Sequence, residues 1–74
     1  MGRLRPLSFR EIKRRLEAVG FVESTQKGSH VKFVKQSGSD VLTTIVPRHR
    51  VVAVGTLRSI LRQAGIAIED WESL

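Results

Sequence analysis

Two clusters of turn residues, Lys27-Gly28-Ser29 and Ser37-Gly38-Ser39-Asp40, cut the middle of this chain into three short extended runs. Glycine and serine at such positions favour turns, so this punctuation limits the fold more than any other feature. Phe21–Gln26 is the first run. Val31–Gln36 is the second and it alternates, with Val31 and Phe33 on one side and His30, Lys32 and Val34 on the other. Val41–Val46 is the third, rich in β-branched residues and ended by Pro47. It is apolar on both faces, so its own parity decides nothing. If Val31 and Phe33 face the core, His30 and Lys32 share the wetter face.

Helical patterns bracket these strands. From Ser8 to Gly20, the residues Phe9, Ile12, Leu16 and Val19 recur at helical spacing. Ser8 with Glu11 predicts a capping box, and Leu7 with Ile12 a hydrophobic staple across it. Gly20 suits the helix stop. Arg10, Lys13 and Arg14 form a basic flank, with Arg15 expected to pair with Glu11, and Glu17 with Lys13. Arg48–Val54 reads as a connection. Gly55-Thr56 then opens a second helix with Thr56 as N-cap. Leu57, Ile60, Leu61 and Ala64 are its buried stripe, and Gly65-Ile66 a Schellman stop with Ile66 against Leu61. Arg58 and Arg62 lie on its flank. Ile68, Trp71 and Leu74 predict a short amphipathic turn added to the core, and no internal repeat stands out. The order α-β-β-β-α is most simply an α+β fold: a three-stranded antiparallel sheet with both helices on one face. Double-stranded-RNA-binding domains share this arrangement, though fold alone does not give function.

Seventy-four residues make one domain, here taken as 1–74, with a modest core. No cysteine is present, which fits a reducing cytoplasm, and two histidines with few carboxylates offer little to a metal; no cofactor is expected. No apolar run approaches the roughly 18 residues of a membrane span, and Met1-Gly2 lacks the serine or threonine at position 6 that myristoylation needs. Nine arginines and four lysines against seven acids give a net charge of +6. That balance points to nucleic acid or to an acidic protein partner, with a merely solvated surface as the competing account. Phe9, Phe21, Phe33 and Trp71 are the only aromatics, too few for a base-stacking platform.

Within this basic chain, Gly28-Ser29-His30 is the candidate for chemistry. Imidazole exchanges a proton near neutral pH, and the turn's N–H groups suit an anionic phosphate. RNA carries its own nucleophile, the 2′-hydroxyl, so a nuclease acting on it needs a proton acceptor, a proton donor and charge stabilisation. Gly28 supplies a positive φ or admits a phosphate; Ser29 stabilises the turn or binds phosphate. Lys27 and Lys32 flank His30 and are the candidates for offsetting phosphate charge, with Arg10, Lys13 and Arg14 as a further RNA-binding flank. His49 is an auxiliary candidate, with capping of a strand end as its competing role. A non-catalytic module holding double-stranded RNA, and a domain docking an acidic protein, are the alternatives.

Over nearly its whole length the chain resembles the HicA toxins, mRNA interferases of bacterial HicA–HicB toxin–antitoxin pairs. The resemblance lies in the first helix ending at Gly20-Phe21, the Lys27-Gly28-Ser29-His30 turn, Val46-Pro47-Arg48-His49, and the stretch from Gly55 to Ile66. It implies a double-stranded-RNA-binding-like fold and metal-independent endoribonuclease cleavage of mRNA. It implies His30 as the catalytic histidine and inhibition by a HicB-type antitoxin, with no direct contact to DNA. The tail Ala67–Leu74 departs from the family most, Trp71 standing where phenylalanine is common.

Overall fold

The computed structural model describes residues 3–74, so the reading of Met1-Gly2 lies outside the described residues. The elements are α1 (Phe9–Ala18), β1 (Val22–Lys27), β2 (His30–Ser37), β3 (Asp40–Pro47), α2 (Val54–Ala64) and α3 (Ile68–Glu72). The order expected from the turn punctuation is the order observed, an α+β fold with an open three-stranded sheet.

α1 begins where Ser8 Oγ accepts the N–H of Glu11 at 3.1 Å. Only this half of the capping box forms, because the Glu11 carboxylate is taken by Arg14 (2.6 Å) and Arg15 (2.7 Å). These two hydrogen-bonded cations, Arg14 first, hold the Glu11 carboxyl at about 2, down from an ordinary 4.5. Lys13 does not pair with Glu17; its Nζ lies 3.0 Å from Glu23 Oε1 in β1. A lysine one turn before a glutamate is the weaker helical order, and the sheet offers a better partner. Both long helices stop at a left-handed glycine, Gly20 and Gly65. The next N–H, of Phe21 or Ile66, donates back to the carbonyl of Leu16 or Leu61 at 3.0 Å, the signature of a Schellman stop.

The sheet is antiparallel in the order β1-β2-β3. Val31, Phe33, Thr44 and Val46 are buried beneath the helices, whose own contribution is Phe9, Ile12, Leu16, Leu57, Ile60, Leu61 and Ala64. The other face carries no helix: Val22, Val41 and Ile45 are exposed there beside His30 and Lys32. The register slips once in β1, between Glu23 and Thr25. Along β3, Gln63 of α2 reaches over the strand, its Oε1 accepting from Thr44 Oγ1 at 2.9 Å and from the Ile45 N–H at 3.4 Å. Ile45 lies on an edge strand, so this side chain satisfies a donor the sheet leaves unpaired.

α2 starts one turn earlier than its sequence suggests. Ala53, with no capping side chain, is the N-cap, and Thr56 lies inside the first turn. The cause is remote in sequence. Val52 and Leu7 exchange backbone hydrogen bonds at 2.7 and 3.2 Å, which holds the chain extended up to Ala53 and releases it into helix immediately afterwards. The tail forms α3 and inserts Trp71, 1% exposed, into the core. Arg15 fastens it: its guanidinium sits 5.3 Å from the Trp71 ring centroid and donates to the Trp71 carbonyl at 3.1 Å.

Candidate functional site

Both hairpins are closed by two-residue loops, Gly28-Ser29 and Gly38-Ser39, and both glycines have positive φ, +60° and +61°. Positive φ at the first loop residue only is the II′ pattern, which matches the twist of paired strands. The likeness extends further. Gln26 Nε2 donates to the Gly28 carbonyl at 3.1 Å, and Gln36 Nε2 to the Gly38 carbonyl at 2.9 Å. The chain therefore repeats Gln-x-Gly-Ser at 26–29 and 36–39, a short repeat with a structural cause. Gly28 meets the backbone demand of a turn, as Gly38 does at the opposite end of the sheet. A Cβ built on either glycine meets nothing within 4 Å, so only backbone strain opposes substitution. Gly28→Ala and Gly38→Ala are accordingly expected to lose similar stability, roughly 1–3 kcal/mol each. Urea denaturation of the two variants checks this, and a clearly unequal loss would show that the turns are not equivalent.

Because the loop is only two residues long, His30 is a strand residue and not part of the turn. It pairs with Lys27 on one side and with Pro47 on the other. Lys27, His30 and Lys32 therefore stand together on the open face of the sheet, all three exposed. No side-chain hydrogen bond holds the His30 imidazole among the described residues. Ser29 contributes its carbonyl, which accepts the N–H of Arg48.

The connection after Pro47 folds back onto the start of α1. The Phe9 N–H donates to the His49 carbonyl at 3.0 Å, and the His49 N–H to the Pro47 carbonyl at 2.9 Å. The loop so pinned makes one wall of an open groove whose other wall is α1. Arg10 and Lys13 line it from the helix, and Arg48, His49 and Arg50 from the loop, with Ser8 and Phe9 beneath. Arg48 is fixed twice more, by Nη1 donating to Gln26 Oε1 at 2.7 Å and by lying 5.3 Å from the Phe9 ring centroid.

The structure thus sorts the residues singled out in the sequence into two neighbouring groups. Lys27, Gly28, Ser29, His30 and Lys32 lie at the β1–β2 turn and on the open face; Arg10, Lys13 and His49 share the groove. Arg14 belongs to neither group. Its guanidinium is turned to Glu11 and to the Leu74 carbonyl, 3.3 Å away, and Glu11 raises its pKa further. Sequence reasoning missed Arg48 and Arg50. The run Arg48-His49-Arg50 was visible as charge, yet only the fold-back onto α1 gives it a wall to face.

No helix among the described residues is long and apolar enough to cross a membrane. A family model described as the HicA toxin of bacterial toxin–antitoxin systems matches residues 9–66. No curated protein matches the chain significantly.

Proposed function

Because the chain belongs to the HicA toxin family of bacterial toxin–antitoxin systems, we propose that this toxin is an endoribonuclease that cuts mRNA with His30 and without a metal. It would act as one HicA-like domain over residues 1–74, in the cytoplasm, where its substrate is. The observation that supports this most is the placement of His30. Its imidazole is solvent-exposed on an open sheet face, with Lys27 paired across from it and Lys32 on the same face of its strand. A phosphodiester resting there would have cations on two sides and an acid–base group in reach.

The 2′-hydroxyl oxygen attacks the adjacent phosphorus and the bond to the 5′-oxygen breaks, leaving a cyclic 2′,3′-phosphate and a 5′-hydroxyl. His30 either takes the proton from the 2′-hydroxyl or gives one to the departing 5′-oxygen. One imidazole cannot do both in a single concerted step, so water, a lysine or His49 supplies the other transfer. Lys27 and Lys32 offset the charge that builds on the phosphoryl oxygens.

A HicB-type antitoxin is the proposed partner on the other side of the pair. An acidic protein covering the cationic surface and the rim of His30 would exclude RNA, and opposite charge would speed its arrival.

The purified chain is expected to cut a long unstructured RNA in the presence of EDTA and to leave the same strand intact when its 2′-hydroxyls are replaced by hydrogen. Cleavage that stops on chelation, or a cut in the 2′-deoxy strand, would overturn this chemistry. Binding without any cleavage would leave a non-catalytic RNA-binding module instead.

A further inference from the structure

Two grooves flank the first turn of α1, and they differ in charge. One, lined by Arg10, Lys13 and Arg14, also contains Glu11 and Glu17. The other, bounded by Arg10, Lys13, Arg48, His49 and Arg50, is lined by no acidic side chain. Lys13 is partly neutralised by Glu23. Arg10, Arg48 and Arg50 form no ion pair among the described residues. A concave surface lined by one sign of charge concentrates counter-ions and raises encounter rates.

We propose that this cationic groove is the subsite for the RNA backbone beside the bond cut at His30, with Arg10, Arg48 and Arg50 gripping its phosphates. The inference rests on RNA being the substrate. What it adds is a path for the strand and two cations, Arg48 and Arg50, that do not stand with His30 on the sheet.

The two places are mechanically joined. Arg48 donates its N–H to Ser29, immediately before His30, and follows Pro47, the cross-strand partner of His30. Its guanidinium is held in place by Gln26 and the Phe9 ring, so little rotamer freedom remains to be lost on binding. Gln26 and Phe9 are neutral and leave its charge available. Planar guanidinium forks match phosphate oxygens better than ammonium groups do. An RNA backbone suits this groove better than a protein surface. Protein interfaces centre on buried apolar anchors, and the groove's one aromatic ring, Phe9, is 8% exposed beneath the Arg48 cation.

The test separates binding from cutting by using the His30→Ala chain and a short fluorescent RNA, with Kd measured by anisotropy at several salt concentrations. Adding Arg10→Gln and Arg50→Gln together is expected to raise Kd about tenfold and to lower the slope of log affinity against log salt by about 1.4, two contacts at ~0.7 each on a single strand. Arg48→Lys, which keeps the charge and loses the fork, is expected to fall between. Circular dichroism confirms that each variant is folded. Unchanged Kd and slope in the groove variants, with Kd raised and the salt dependence made shallower by Lys27→Gln and Lys32→Gln, would overturn the proposal and place the backbone on the open sheet. So would unchanged RNA affinity with loss of antitoxin capture, which would make the groove a protein-docking surface. If the chain carrying native His30 still cuts RNA in either case, only the groove is refuted. If the parent chain neither binds nor cuts RNA, the nuclease reading fails first.

Discussion

Replacing His30 with alanine is expected to abolish RNA cleavage and growth arrest while leaving the protein folded. Removing a general acid or base typically costs a factor of roughly 100 to 10,000 in rate, enough to take a slow nuclease below detection. The fold should hardly respond, because the imidazole is exposed and makes no side-chain hydrogen bond among the described residues. Changes at such surface positions usually stay within about 0.5 kcal/mol. RNA binding should survive, since the cations around the site remain. Wild type and variant are compared by gel assay on one RNA and by urea denaturation. A variant that cuts at the wild-type rate removes His30 from the mechanism. One that is inactive because it has unfolded shows that the residue serves the structure.

The largest effect on stability is expected at Trp71. The residue lies beyond the stretch 9–66 that matches the family model, yet it is 1% exposed, and its ring also receives the Arg15 guanidinium at 5.3 Å. Truncating a buried tryptophan to alanine costs about 3–5 kcal/mol. Domains hold only about 5–15 kcal/mol in total, and a 74-residue chain has a modest core. Trp71→Ala should therefore lower the melting temperature by well over 10 °C, whereas Trp71→Phe, which keeps an aromatic ring in place, should lose less. Thermal melts followed by circular dichroism read both. A loss below about 1 kcal/mol in Trp71→Ala would mean that α3 is not part of the cooperative core.

The sheet and the helix stops were legible in the sequence because their causes are local. Glycine-serine turns, period-two alternation in Val31–Gln36 and a left-handed glycine after each of the two long helices all act over a few positions. The same alternation groups His30 with Lys32 on one face, and the burial of Val31 and Phe33 makes that face the open one. What could not be read depends on contacts distant along the chain. Thr56 looked like an N-cap because nothing near it reveals that Val52 pairs with Leu7. Lys13 looked like a partner for Glu17 because Glu23 reaches α1 only once β1 is in place. The groove is of this kind throughout, since Arg48-His49-Arg50 becomes a wall only by hydrogen bonding to the first turn of α1. The repeated Gln-x-Gly-Ser was in plain view, but four positions carry little weight until both turns prove to have one geometry.

The loop that carries Arg48, His49 and Arg50 is pinned chiefly through its main chain, by carbonyls and N–H groups of Ser29, Pro47, Phe9 and Leu7. Main-chain bonds are indifferent to which side chain a position bears. The exposed residues at 49 and 50 can therefore be exchanged by mutation with little penalty to folding, while the path they line is kept. In a toxin built this way, the side chains at these two positions can change from one descendant to the next without the change passing through an unfolded ancestor.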